Sequence, residues 1–193
     1  MYKNYKIRAP YFEIGPKCFM WGERMLKLAK AIDQIAYKYD LDVIVTPQYT
    51  DIRLLAENTE HIHVYAQHMD PLPPGRGLGS VLPEAVKEAG AVGVMLNHAE
   101  KKLSLDDIRR TIARADEVGL ATIVCADTVE EIRQVAELSP NLIVAEPTDL
   151  IGTGVTSDMG YVKDTIEAVR RINPDIMVLQ GAGISGPEDV ANV

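Results

Sequence analysis

Short, uninterrupted apolar runs recur along this chain, and each is followed by a longer stretch with helical spacing. The runs Val43-Ile44-Val45, Ile123-Val124-Cys125, Leu142-Ile143-Val144-Ala145 and Ile176-Met177-Val178-Leu179 are rich in β-branched residues. Continuous apolarity, rather than alternation, marks strands buried on both faces, as in parallel sheets covered by helices. Strands are expected at 11–14, 42–46, 61–67, 92–96, 121–125, 142–146 and 176–180. Between them, 23–39 sets Met25, Leu28, Ala29, Ile32, Ile35 and Ala36 at helical spacing. Ile108, Ile112 and Ala115 repeat along 105–118, with Ser104 as its expected N-cap ahead of Asp106 and Asp107. Stretches 130–138, 161–172 and 187–193 read the same way. Steady strand–helix alternation means a parallel sheet with covering helices.

A doubly wound sheet gathers its special loops at one switch point, whereas a (β/α) barrel places them after many strands. Here the unusual residues follow six of the expected strands: Lys17, Gln48, His68, His98, Glu146 and Gly181–Gly183. The spread favours a (β/α)8 barrel in a single domain over 1–193, incomplete at its C-terminal side. An eighth βα unit of about 25 residues or more has no counterpart before Val193. Seven strands would leave two unpaired edges, so the missing unit is expected beyond the sequence in hand.

Composition narrows the function. A net charge of −8 opposes nucleic acid or an anionic membrane as partner, since both need a basic footprint. A small anionic substrate stays open, because a few backbone N–H groups and one lysine can hold phosphate. Cys18 and Cys125 stand far apart, so reduced thiols in a cytoplasmic protein are expected. The start, MYKNYKIRAPYF, lacks the apolar core of a signal peptide.

Glu146 ends a buried run and is followed by Pro147, then by Leu150-Ile151-Gly152-Thr153-Gly154. A carboxylate there is partly desolvated and basic, and the loop behind it is rigid at one end and glycine-permissive at the other. His98 follows the fourth strand in Asn97-His98-Ala99-Glu100, Lys17 follows the first, and Gly181-Ala182-Gly183-Ile184-Ser185 follows the seventh. Other features read as structural. His61-Ile62-His63 lies at the wrong end of its strand for chemistry, and Asp106, Asp107, Arg109 and Arg110 form a solvated helix face. Gly75-Arg76-Gly77-Leu78-Gly79 follows no strand directly and so is no dinucleotide fingerprint.

Taken together, V-T-P-Q-Y-T-D at 45–51, A-Q-H-M-D-P at 66–71, L-N-H-A-E at 96–100, A-E-P-T-D-L-I-G-T-G at 145–154 and G-A-G-I-S at 181–185 resemble the triosephosphate isomerase family, in its shorter archaeal form. The likeness covers nearly the whole chain. It implies an aldose–ketose isomerase of a small sugar phosphate, glyceraldehyde 3-phosphate and dihydroxyacetone phosphate first, within glycolysis or gluconeogenesis. By the same resemblance Glu146 is the base, His98 the imidazole that polarises the carbonyl, Lys17 the substrate-fixing cation and Glu100 its carboxylate partner. Gly152, Gly183 and Ser185 would grip phosphate, and Thr148, Asp149, Leu150, Ile151, Gly152, Thr153 and Gly154 would form the lid. The pairing of a glutamate base with a neutral histidine is a known property of that family, carried over with the resemblance and not deduced from the spacing. No metal or organic cofactor is implied, and loop 71–80 is the expected contact of a homodimer or homotetramer.

Three departures bear on substrate. Gly15-Pro16-Lys17 stands where the family shows Asn-x-Lys, Ala99 stands where a Ser is usual, and the eighth unit is absent. Asn4-Tyr5-Lys6 fits Asn-x-Lys literally, but only three residues precede it, too few for a first strand. The alternatives are an isomerase of another phosphosugar, or a non-catalytic barrel that binds a phosphometabolite.

Overall fold

The computed structural model describes residues 1–4 and 7–192. Tyr5, Lys6 and Val193, the last being the end of the expected final helix, lie outside the described residues. Seven parallel strands follow one another in chain order: β1 (Tyr11–Ile14), β2 (Asp42–Val45), β3 (Ile62–Ala66), β4 (Gly93–Leu96), β5 (Ala121–Ala126), β6 (Leu142–Ala145) and β7 (Met177–Gln180). Helices α1 (Gly22–Tyr39), α2 (Ile52–Ala56), α3 (Pro83–Glu88), α4 (Leu105–Val118), α5 (Val129–Glu137), α6 (Met159–Ile172) and α7 (Pro187–Asn192) alternate with them.

Each strand matches an expected run to within one or two residues. Every residue of β2, β4, β5 and β6 is buried, as their unbroken apolar character requires. The helices α2 and α3 were not among the expected elements. With five and six residues they are too short to display a period, although Pro83 at the start of α3 is a helix-opening signal. On α1 the buried stripe is Met25, Ala29, Ile32 and Ala36, while Ile35 is half exposed. Ile35 therefore leaves the face assigned to it, because it lies a full helical step off a stripe already completed by Ala36.

The chain divides into two compact units. One comprises Tyr2–Met95 and Ala113–Ala121. In it, β1 pairs with β2 in the register Tyr11 to Asp42, and β2 pairs with β3 in the register Val43 to Ile62. Asp33 on α1 anchors the start of β3: its Oδ1 accepts the backbone N–H groups of Glu60, His61 and Ile62 at 2.9, 2.6 and 3.2 Å. The His61 ring stacks on Tyr37 with centroids 4.7 Å apart, and His63 turns to Asp42 at 3.3 Å. The two histidines thus have separate structural partners.

Asp42, almost fully buried, also accepts the Arg8 backbone N–H at 2.6 Å and its Nε at 3.3 Å. Burial works against the carboxylate charge, but hydrogen bonds from the Arg8 backbone, from His63 and from the Arg8 guanidinium outweigh it and hold the carboxyl below its ordinary range. A lowered folded-state value means the stabilisation is present above the unfolded carboxyl value of about 3.9 and lost as pH falls through the folded one. Asp42→Asn is expected to melt below the wild type at neutral pH, with the gap closing in the acid range. A gap that stays constant between the two would show that the charge contributes nothing.

The second unit comprises Met1, Leu96–Ile112 and the chain from Thr122 onward. Its strands β5, β6 and β7 pair in the registers Ile123 to Leu142 and Leu142 to Met177. At the entry to β5 and β6, the Thr122 N–H donates to Asn141 Oδ1 at 3.1 Å and the Asn141 N–H donates to Thr122 Oγ1 at 3.3 Å. Both residues are fully buried, and this reciprocal pair satisfies donors that would otherwise be costly there. On α6, Asp158 caps the first turn by accepting from Gly160 and Tyr161. The expected Ser104 cap of α4 is present, accepting the Asp107 N–H at 3.1 Å. The Asp106, Asp107, Arg109 and Arg110 cluster pairs internally on an exposed face.

Candidate active site

The unit holding β5 to β7 brings Glu146 and His98 together. Glu146 follows β6, where its backbone N–H is tied to the Ala126 carbonyl at 2.9 Å. Its side chain is mostly buried, and Gly181 gives it room: a Cβ on Gly181 would stand 3.2 and 3.3 Å from the Glu146 Cβ and Cγ. His98 Nε2 lies 3.8 Å from Glu146 Oε2, too far for a hydrogen bond yet near enough for both to reach adjacent atoms of one small molecule.

The imidazole is held from its other side. The Glu100 backbone N–H donates to His98 Nδ1 at 3.2 Å. A ring nitrogen that accepts a hydrogen bond carries no proton, so the proton sits on Nε2, the nitrogen facing Glu146. The arrangement therefore offers a carboxylate acceptor beside a neutral N–H donor.

Asn97, which sequence reasoning passed over as a mere neighbour of His98, is anchored on three sides by its own side chain. It adopts a left-handed backbone with φ of 58° and is fully buried. Its Nδ2 donates to the Cys125 carbonyl and to Glu131 Oε1, both at 2.9 Å, and its Oδ1 accepts the Leu103 N–H at 2.9 Å. Its place in an N-H-x-E string was the only signal in the sequence. Asn97→Ala removes all three bonds and leaves the αL backbone to a residue that rarely adopts it. A stability loss of about 2–4 kcal/mol is expected by denaturant titration. A loss under about 0.5 kcal/mol would show that the hub is dispensable.

The segment after Glu146 begins with a 3-10 turn, Thr148–Leu150, and reaches left-handed glycines at Gly152 and Gly154, with φ of 76° and 73°. Thr153 closes it locally: its N–H and Oγ1 both donate to the Leu150 carbonyl, and its Oγ1 accepts the Val155 N–H. A cavity of about 380 Å³, bordered by Asp127, Pro147, Leu150, Ser157 and Tyr161, lies against that first turn. Tyr161 donates its hydroxyl to the Asp127 carbonyl, and burial raises its ionisation well above the ordinary phenol range.

A family model described as triosephosphate isomerase matches residues 16–192. The chain belongs to the triosephosphate isomerase family. It is 45% identical over 172 residues to the triosephosphate isomerase of Methanothermus fervidus, spanning 88% of this chain and 77% of that protein. It is 42% identical to that of Methanocaldococcus jannaschii, again over 88% of this chain, and 38% identical to that of Sulfurisphaera tokodaii over 95% of it, covering 78% and 82% of those proteins. The crystal structure of triosephosphate isomerase from Bartonella henselae superposes with a TM-score of 0.75 at 18% identity, over 90% of this chain and 83% of that one. The fold class is accordingly the TIM barrel, with seven of its βα units among the described residues.

The remaining residues that the family resemblance singled out take the following places. Gly183 has φ of 70° and sits against the residue that follows segment 148–154, where an added Cβ would stand 1.8 Å from the Val155 carbonyl oxygen. Ser185 donates its hydroxyl to the Gly183 carbonyl at 3.3 Å, and its N–H is already taken by Asp189 Oδ2 at 2.8 Å. Glu100 is exposed and contributes the backbone N–H described above.

Lys17 belongs to the other unit. It has φ of 49°, and its carbonyl accepts from Gln48 Nε2 at 2.7 Å and Gln67 Nε2 at 3.0 Å. Gln48 also donates to Gln67 Oε1 at 3.2 Å, so two strand-exit glutamines, of which sequence reading flagged only Gln48, hold the lysine's backbone. His68, another strand-exit residue, is buried and turned to Asp70 at 3.1 Å. Asp70 in turn closes the base of loop 71–80 by bonding both ways with the Val81 backbone. Among the described residues no helix is long and apolar enough to cross a membrane.

Proposed function

We propose that the chain interconverts an aldose and a ketose form of a small sugar phosphate, glyceraldehyde 3-phosphate and dihydroxyacetone phosphate first. The observation that carries this reading is the 3.8 Å pair of Glu146 with a His98 whose Nδ1 is locked by a backbone N–H. Glu146 removes the proton from the carbon next to the carbonyl. His98 Nε2–H donates to the carbonyl oxygen and stabilises the cis-enediolate as charge moves onto it. Glu146 then returns its proton to the former carbonyl carbon. Meanwhile a proton passes through His98 Nε2 from the hydroxyl oxygen to the former carbonyl oxygen, so the isomerisation ends with no net gain or loss of protons.

Lys17 offsets the substrate's charge, and the N–H groups of Gly152 and Gly183 hold its phosphate. Segment 148–154 closes over the enediolate and excludes the water that would let phosphate leave. The cavity beside its first turn supports that role, since the segment borders open volume rather than packed core. Loop 71–80 carries the fully exposed Leu78 on a base tied by Asp70 and Val81, which suits a contact with a second copy of the chain.

Incubating the purified full chain with glyceraldehyde 3-phosphate and following dihydroxyacetone phosphate by NMR tests the reading. Conversion well above the buffer rate is expected. A rate equal to buffer would overturn it.

A further inference from the structure

The loop that carries His98 runs from Asn97 to Leu103 and closes on itself. The Leu103 N–H donates to Asn97 Oδ1 at 2.9 Å, and the Lys101 N–H to the His98 carbonyl at 2.8 Å. The Glu100 N–H reaches the His98 ring at 3.2 Å. Such a loop keeps its own shape but can still pivot on its two feet. Both feet meet one side chain, that of Glu131 in the first turn of α5. Glu131 Oε1 accepts Asn97 Nδ2 at 2.9 Å and Lys102 Nζ at 3.4 Å, while its Oε2 accepts the Asp127 N–H at 2.8 Å. All of these residues belong to the unit that holds β5 to β7.

Glu131 is itself held firmly. Its backbone N–H donates to Thr128 Oγ1 at 3.1 Å, and the Asp127 carbonyl takes the Tyr161 hydroxyl. Thr128-x-x-Glu131 has the form of a capping box, in which the acid would return to the Thr128 N–H. Here it bonds one residue earlier, to Asp127, and its other oxygen goes to the His98 loop. Capping a helix uses none of the bonds to Asn97 and Lys102. Those two bonds need another reason.

We propose that Glu131 is a positioning residue for the isomerase reaction, holding both feet of loop 97–103 so that the Glu100 N–H stays on His98 Nδ1. The Nε2 proton is then kept on the side facing Glu146. This rests on the isomerase reading above. Glu131 meets donors on both oxygens, and a carboxamide offers an acceptor on one side only. Glu131→Gln therefore turns an NH2 group either on the Asn97 and Lys102 donors or on the Asp127 N–H, with almost no change of shape.

A helix-capping acid alone would affect stability and not the histidine, so the test reads His98 directly. kcat and KM for glyceraldehyde 3-phosphate are measured on the full chain, well below its melting temperature. The two His98 ring nitrogens are followed by 15N NMR at a pH of about 8.5, where imidazole is ordinarily neutral, with the signals assigned by their loss in His98→Gln. Glu131→Gln is expected to lower kcat at least about tenfold with KM within about twofold, as for a displaced catalytic group. Its ring signals should draw together as the two tautomers mix. Thr128→Ala removes the α5 cap and leaves the carboxylate, so it should lower Tm alone.

In Glu131→Gln the kcat loss and the ring change are expected together; either one alone, or neither, overturns the inference. So does an equal kcat loss in Thr128→Ala, which would place the effect in the helix turn. If Glu131→Gln does not fold, Glu131→Asp, one methylene shorter, decides by the same readouts. Active wild type with an unaffected variant leaves the isomerase reading standing. A wild type inactive on the triose overturns that reading, and the ring signals then decide whether Glu131 orders His98.

Discussion

Glu146→Gln should reduce kcat for sugar-phosphate isomerisation about a thousandfold, within the range that a positioned general base supplies. The substitution is nearly isosteric. It keeps the side-chain stem beside Gly181 and the backbone bond to Ala126, so the fold is expected to survive. What is lost is an acceptor for the carbon-bound proton, which a carboxamide cannot replace. Substrate affinity should change far less, because the phosphate contacts assigned to Gly152 and Gly183 lie elsewhere in the loops. A variant with wild-type kcat would remove Glu146 from the reaction.

Gly183→Ala should be nearly as damaging, for mechanical reasons. At φ of 70° any residue with a Cβ is strained, and here the Cβ would also fall 1.8 Å from the Val155 carbonyl oxygen and 2.3 Å from its carbon. These are backbone atoms just past segment 148–154, so no side-chain rotation relieves the overlap. Either the backbone at Val155 or the loop after β7 must shift. A stability loss of about 3 kcal/mol or more is expected by denaturant titration, together with a raised KM as the Gly183 N–H moves. Gly152→Ala is the natural control. Its φ of 76° is equally strained, but nothing lies within 4 Å of the new Cβ, so the cost should be only about 1 kcal/mol. Equal losses in the two variants would show that backbone strain, not the contact with Val155, makes Gly183 necessary.

The strands could be read from the chain because burial on both faces writes itself as unbroken apolar runs, as in Leu142–Ala145. The longer helices, such as α1 and α4, repeat their pattern often enough to be seen, whereas α2 and α3 end before a second period. Ile35 shows the limit of periodicity: a stripe two residues wide admits a neighbour that the fold leaves in water. Glu146 stood out in the sequence because it ends an apolar run, and His98 because it stands two residues past one, where a polar residue needs a reason. The positioning residues were less so. Asn97 acts through partners 6, 28 and 34 positions away, most of them at distances where local pattern carries no information. The glycines after β7 were expected to present N–H groups. That the Ser185 N–H is taken by Asp189 follows from a turn that only coordinates display.

The central claim is that Glu146 carries the proton between two carbons of one substrate. Running the reaction in D2O and reading the product by 1H NMR tests it directly, because a proton held on a carboxylate exchanges with solvent before it is returned. Dihydroxyacetone phosphate formed by the wild type should carry deuterium on its hydroxymethyl carbon, and Glu146→Gln should lose conversion and deuterium incorporation together. Product free of deuterium, or undiminished conversion by Glu146→Gln, would contradict the account.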